Sequence, residues 1–271
     1  MRDVLVCVRD PAQWGHAGAY ATDIAARLGG TLTGVCIEPA SQTPLAVPGA
    51  GADVAVGTMT ARQRSGNVRA AEGLAAWANA MGTKQTAWHE MEGSMADVLA
   101  RMSAWHDLIV VDRDMHDPAA SVHELGEVVV SSRAPVILVP PRRREALLDC
   151  IALAWNRSEE SLAAIHAARP LLAHAKRIVV LEGGDAEQPL NEVPGFELAR
   201  YLAWQGFTVE HDTIRGESSQ AGDLLIHAAR RHRADLLVMG AYGRSRLSEW
   251  VLGGATRSVL FDAPLPVFLK H

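Results

Sequence analysis

The residues with the clearest chemical potential are four glycines near the end of the chain. Gly240 and Gly243 follow an apolar run, and Gly253 and Gly254 precede a helical pattern over 255–261. Glycine has no Cβ, so the backbone amides of such a loop can approach a phosphate closely. The free N–H groups at the start of the helix also favour an anion. The spacing therefore predicts a phosphate-binding loop.

The charge of this loop suits a polyphosphate. Between residues 240 and 257 three arginines stand against one glutamate, which gives a local charge of +2 in a chain with a net charge of -5. Hydroxyl groups in and beside the loop add hydrogen-bond donors. We expect Arg244, Ser245 and Thr256 to assist in holding the anion.

The loop belongs to the second of two similar halves. Asp107 and Asp235 each begin an apolar run, and a proline-led run follows in each half at Pro135 and Pro266. Short β-branched runs alternate with longer helical patterns, which predicts βαβ units and a parallel sheet covered by helices on both faces. The predicted strands lie near 4–9, 32–37, 84–90, 107–112, 135–139, 149–155, 177–182, 207–214, 235–240 and 265–270.

A proline pair followed by a charge run, residues 140–145, is typical of a linker. We therefore predict two domains, residues 1–145 and 146–271. In an open parallel sheet, ligands bind beyond the carboxyl ends of the strands where the strand order reverses. The loops after the first and fourth strands of each half are accordingly the candidate sites.

Gly240, Gly243 and Gly253, with nine residues between the last two, resemble the GxxGx9G(S/T) signature of the universal stress protein family. The resemblance covers nearly the whole chain. It implies two tandem flavodoxin-like (adenine nucleotide alpha hydrolase-like) α/β domains, each a five-stranded parallel sheet of order 3-2-1-4-5. It also implies a role in stress response or signalling, with ATP or another adenine nucleotide as a regulatory ligand, and Mg²⁺ only as the nucleotide's companion.

The chain departs from that signature at Gly254, where ATP-binding members have Ser or Thr. A hydrogen bond to a charged phosphate is worth about 1.5–3 kcal/mol, so its loss weakens binding roughly ten- to hundred-fold.

The resemblance further places Asn156, after the first strand of the second half, against the adenosine. Two hypotheses for Asn156 stay open: it recognises a base or ribose edge, or it caps the helix that begins near Ser158. For the four loop glycines, too, an alternative stays open: they only allow a tight connection between the strand and the helix.

The first half has no comparable loop. No glycine follows its fourth strand within ten residues, and carboxylates there oppose a triphosphate. Asp10 matches the family's adenosine-side acid, yet no phosphate-side partner accompanies it, so we predict no nucleotide in this half. The acidic loop also contains histidines, but the spacing matches no metal motif, and acidic residues before a helix are usually solvated caps. No metal site is predicted from the candidate ligands Asp112, Asp114, His116, Asp117 and His123.

Several enzyme classes are excluded by missing motifs. The chain has no GxxxxGK[ST] loop, no GxGxxG after the first strand of either half, and no GxSxG turn. No dedicated catalysis is predicted; the resemblance allows at most slow hydrolysis of bound ATP, positioned by Arg244 or Arg246. The alternatives to a nucleotide-regulated stress protein are a protein-interaction module without a small ligand and a weak ATP hydrolase.

Composition sets the remaining expectations. With 48% hydrophobic and 21% charged residues and a pI near 6.1, the chain should form a globular core and should bind neither nucleic acid nor an anionic membrane. Three cysteines without a pairing pattern favour the reducing cytoplasm. The apolar edge strands 135–139 and 266–269 need cover, so we expect self-association through them, within one chain or across a homodimer, besides an unknown signalling partner.

Overall fold

The computed structural model describes residues 1–9, 14–38, 61–113, 118–183, 197–242 and 254–271. Ten strands lie in these ranges, and every predicted strand has a counterpart within a few residues. The strands are β1 (Asp3–Val8), β2 (Thr31–Glu38), β3 (Gln85–Glu92), β4 (Leu108–Asp112), β5 (Val136–Val139), β6 (Cys150–Trp155), β7 (Arg177–Gly183), β8 (Val209–Ile214), β9 (Leu236–Gly240) and β10 (Val267–Lys270).

Eight α-helices connect these strands in the described ranges. Most have one buried face, because their apolar residues recur at three- and four-residue spacing. Leu162 is an exception: the sequence pattern places it on the buried face of its helix, yet it is 38% exposed. The helices are α1 (Gly15–Arg27), α2 (Ala61–Ala80), α3 (Met95–Met102), α4 (Pro118–Ser131), α5 (Glu159–Leu172), α6 (Leu198–Trp204), α7 (Ala221–Arg231) and α8 (Gly254–Asp262).

All ten strands form one sheet of order β3-β2-β1-β4-β5-β10-β9-β6-β7-β8. The strands of each half are parallel, and each half has the order 3-2-1-4-5 in its own numbering. The halves meet where β5 and β10 pair in antiparallel fashion, with Val267 opposite Leu138 and Leu269 opposite Val136. The predicted α/β class with a mostly parallel sheet is confirmed.

The hydrophobic core has two layers, one on each face of the sheet. Helices α3, α4, α7 and α8 pack on one face, and α1, α2, α5 and α6 pack on the other. Each layer runs across both halves without a break, as the buried residues Phe268 and Ile137 illustrate at the junction. The sheet therefore shows no boundary near residue 145, and the division into two domains stays a prediction.

The segment between β5 and β6 was expected to be a linker. It contains no helix or strand, but it packs against the first half. The N–H group of Ala146 donates to Asp23 Oδ2 at 2.8 Å, and Leu148 is buried. The connection is thus part of the folded core. No helix in the described part of the chain is both long and apolar enough to cross a membrane.

Candidate functional site

Gly240 ends β9 in close contact with helix α5. A Cβ built at this position would lie 2.5 Å from the carbonyl carbon of Glu160 and 2.5 Å from the nitrogen of Ser161. These are backbone atoms of the first turn of α5, so any side chain at 240 would displace the helix. The structure therefore gives Gly240 a packing role at the carboxyl edge of the sheet, in addition to the predicted role in the phosphate loop.

Asn156 lies just after β6 and is exposed. Its Oδ1 accepts a hydrogen bond from the N–H group of Ser158 at 3.2 Å. Ser158 is the actual N-cap of α5, because its Oγ accepts from the N–H group of Ser161 at 3.1 Å. Asn156 thus orders the turn before the cap. Its side-chain amide, which carries two donors, is the part suited to a base or ribose edge.

Gly254 begins helix α8 at the same edge of the sheet, one residue earlier than the sequence pattern predicts. The residue is exposed, and a Cβ built there meets no atom of the described chain within 4 Å. The first turn of α8 contains Arg257 and no acidic residue. As far as the described residues show, the start of α8 therefore combines free space beside Gly254, helix N–H groups and a positive charge, as an anion requires.

The other predicted site residues divide into two groups. Thr256 lies in the first turn of α8, but it is only 5% exposed, so little of its surface is available to a ligand. The remaining four lie outside the described residues, and their role stays a prediction. They are Gly243, Arg244, Ser245 and Gly253.

Sequence reasoning missed Tyr242, two residues after β9. Its backbone has φ 55°, a left-handed conformation that is uncommon for a residue with a side chain. The ring lies 6.5 Å from that of His271 at an interplanar angle of 71°, and burial raises the pKa of the phenol. His271 in turn places Nδ1 3.1 Å from the carbonyl oxygen of Ala241. These contacts fix the position of residues 241 and 242 after β9, and no spacing pattern in the sequence predicts them.

The equivalent place in the first half is filled by a carboxylate. Asp112 ends β4, and its Oδ1 accepts hydrogen bonds from the N–H groups of His16 at 3.1 Å and Ala17 at 2.7 Å. Burial raises the pKa of the Asp112 carboxyl, although these hydrogen bonds oppose the shift. Asp112 therefore occupies the start of α1 as a built-in anion. The acidic residues of this loop were predicted to be solvated caps of the helix that follows; Asp112 is instead partly buried and binds the start of a helix far earlier in the chain.

Each half has a crevice at the carboxyl ends of its first and fourth strands, and that of the first half has further polar contacts. Arg9, after β1, forms an ion pair with Glu124 of α4 at 2.9 Å. Among the described residues no three histidine, cysteine or acidic side chains come together as metal ligands. Asp10 and three of the candidate ligands lie outside the described residues. Those three are Asp114, His116 and Asp117.

Comparison with known proteins gives the family context. Residues 141–270 match the model of the universal stress protein family. A curated universal stress protein of Synechocystis sp. strain PCC 6803 is 24% identical over 179 residues, which cover 65% of this chain. The matched region spans 61% of the length of that relative.

Solved structures with the same fold cover almost the whole chain. A universal stress protein from Archaeoglobus fulgidus DSM 4304 aligns over 98% of this chain and 95% of its own, with a TM-score of 0.68 and 14% identity. A functionally unknown protein from Pseudomonas aeruginosa PAO1 aligns over 99% and 92%, with a TM-score of 0.63 and 15% identity. At these identities the likeness establishes the α/β fold alone.

Proposed function

Because residues 141–270 match the model of the universal stress protein family, we propose that the second half of this chain binds ATP or another adenine nucleotide. The bound nucleotide acts as a regulatory ligand in a stress response. One observation carries the proposal: helix α8 starts at the carboxyl edge of the sheet with exposed Gly254 and with Arg257 in its first turn, and no described residue comes within 4 Å of a Cβ built at Gly254. The predicted glycine loop leads directly into this helix.

Asn156 supports the adenosine side of the proposal. It follows β6, the strand next to β9, so it lies at the carboxyl edge of the sheet, at the strand-order reversal where ligands bind in open α/β sheets. The hydrogen bond to Ser158 fixes the carbonyl oxygen of the side chain. The amide nitrogen is thereby oriented, and it can donate to an acceptor on adenine or ribose.

A second candidate function is an interaction module without a small ligand. Gly254 favours it, because a hydroxyl at this place would have added a hydrogen bond to a phosphate. The same residue makes the two candidates separable. Since a Cβ at 254 meets no described residue within 4 Å, we expect Gly254→Ser to supply the missing hydroxyl without disturbing the described fold.

The test combines a content assay with calorimetry. Freshly purified protein is denatured, the supernatant is analysed for adenine nucleotide, and ATP is titrated into wild type, Gly254→Ser and Gly254→Ala. We expect wild type to bind at up to millimolar ATP and Gly254→Ser to bind about ten-fold more tightly. Gly254→Ala is the matched control, because it adds the Cβ without the hydroxyl and should bind as wild type does.

Loss of binding in Gly243→Val would support the predicted loop. If neither wild type nor Gly254→Ser takes up ATP at millimolar concentration, the nucleotide proposal is wrong and the interaction module remains. Magnesium enters only with the nucleotide, so the titration is repeated with and without Mg²⁺.

A further inference from the structure

Lys270 is the residue opposite Gly240 in the sheet. β10 runs parallel to β9, and the register pairs Lys270 with Gly240 at the carboxyl ends of both strands. Parallel neighbours lie about 4.8 Å apart. A cation is thus placed directly beside the strand end that precedes the predicted phosphate loop.

The Lys270 side chain lies on the face of the sheet that carries α5. Val267 and Leu269 belong to one core layer and Phe268 to the other, so alternation puts Lys270 on the layer of Phe268. Gly240 is on this face too, as the contact with Glu160 and Ser161 shows. Because Gly240 has no side chain, β9 places no side chain beside Lys270 on this face at the carboxyl end of the sheet.

The charge of Lys270 is not compensated by the described chain. The residue is partly buried, and burial lowers the pKa of the ammonium. No carboxylate of the described residues forms an ion pair with it; the lysine that does have such a partner is Lys176, with Asp149. A cation that has lost part of its hydration is stabilised by an opposite charge. A bound anion would supply that charge.

The internal repeat strengthens this argument. In the first half the equivalent register pair is Asp112 and Val139 at the ends of β4 and β5. In the second half the pair is Gly240 and Lys270. The carboxylate is absent and a cation is added at the same two places, so the local charge changes by +2. The first half thus carries a carboxylate at this register pair, whereas the second half carries a glycine packed against α5 and a cation beside it.

We propose that Lys270 is the residue that contacts the phosphate groups of the ligand in the second half. The inference deepens the proposed function and rests on it: the anion lies at the carboxyl end of β9, beside Gly240, and Lys270 approaches it from β10. Lys270 lies outside the glycine signature, so no family pattern marks it. In the first half, Val139 occupies the equivalent place.

The decisive experiment separates the phosphates from the nucleoside. ATP, adenosine and inorganic triphosphate are each titrated into wild type, Lys270→Gln and Lys176→Gln. The loss of one hydrogen bond to a charged group lowers affinity about ten- to hundred-fold. We therefore expect Lys270→Gln to weaken ATP and triphosphate binding about ten- to hundred-fold and to leave adenosine binding unchanged. Lys176→Gln, at the opposite edge of the sheet, should match wild type for all three.

A second measurement needs no substitution. The chain has three lysines, Lys84, Lys176 and Lys270, so NMR of protein labelled with ¹³C at lysine Cε follows each ammonium separately. Titration with inorganic triphosphate should shift the Lys270 signal and raise its apparent pKa, while the other two signals serve as internal references.

The outcomes distinguish this inference from the proposed function. Equal ATP affinity in wild type and Lys270→Gln would overturn the role of Lys270 and leave nucleotide binding in place. If triphosphate moves the Lys270 signal but ATP binds no more tightly than triphosphate, the anion site is real and the adenine part of the proposed function is wrong. If neither compound binds or moves that signal at millimolar concentration, both are wrong.

Discussion

The two crevices of this molecule differ at two register positions on the same scaffold. At the first, Asp112 accepts hydrogen bonds from the start of α1, and Val139 pairs with it. At the second, Gly240 lies against α5, and Lys270 pairs with it. The comparison teaches that the same register pair can carry a carboxylate that binds the neighbouring helix, or a glycine packed against that helix with a cation beside it, and that few side chains decide which.

The scaffold itself has changed little between the halves. Asp107 and Asp235 precede β4 and β9, and each carboxylate binds the backbone at the start of the neighbouring strand. Asp107 Oδ2 accepts from the N–H group of Asp3 at 3.2 Å, and Asp235 Oδ2 accepts from that of Cys150 at 3.1 Å. This shared contact fixes the register on which the differing crevices are built.

The largest effect is expected from adding a methyl group at the second crevice. Gly240→Ala forces α5 to move, because the new Cβ would lie 2.5 Å from two backbone atoms. Overpacking of this kind costs about 3 kcal/mol at the upper end, measured as the loss in free energy of unfolding by urea titration. Gly254→Ala is the control and should show no loss. Equal stability of the two variants would contradict the described contact.

A smaller effect is expected from removing the internal anion. Asp112→Ala leaves the N–H groups of His16 and Ala17 without their acceptor, which should lower the free energy of unfolding by about 1.5 kcal/mol. Ser158→Ala removes the single cap bond of α5 and should cost about 1 kcal/mol. A larger loss in Ser158→Ala than in Asp112→Ala, by the same denaturant titration, would reverse the comparison.

The pH dependence of the first crevice follows from the raised pKa of Asp112. A carboxyl whose pKa is higher in the folded than in the unfolded state stabilises the fold fully below its ordinary pKa of about 4, and this contribution is lost as the pH rises through the raised value. The free energy of unfolding of wild type minus that of Asp112→Asn, which does not titrate, should therefore fall from acidic to neutral pH. A difference that grows with pH would show that hydrogen bonding outweighs burial.

The smallest effect is expected from the ion pair across the first crevice. Arg9 and Glu124 are both substantially exposed, and such pairs contribute about 0.2–1 kcal/mol. Glu124→Gln should therefore change the free energy of unfolding by less than the substitutions at Asp112. A loss in free energy of unfolding comparable to that of Asp112→Ala would mean that the ion pair stabilises this half as much as the Asp112 carboxylate does.

The sequence predicted the strands well because buried parallel strands are continuous apolar runs, which alternate here with helical patterns. It placed Leu162 wrongly, since periodicity indicates the direction of a face but not how far the sheet covers it. The contact between Asp112 and α1 joins residues 95 and 96 positions apart, a distance that no local spacing signal spans. Lys270 went unnoticed because its partner Gly240 becomes its neighbour only through the sheet register.

The antiparallel junction of β5 and β10 determines the sides from which ligands or partner proteins reach the two crevices. Every strand of the first half runs opposite to every strand of the second, so the two crevices open at opposite ends of the molecule. At each end, one half presents its crevice and the other presents the turns that enter its strands. Since Val136 lies opposite Leu269, a protein that docks over Lys270 also meets the turn before β5.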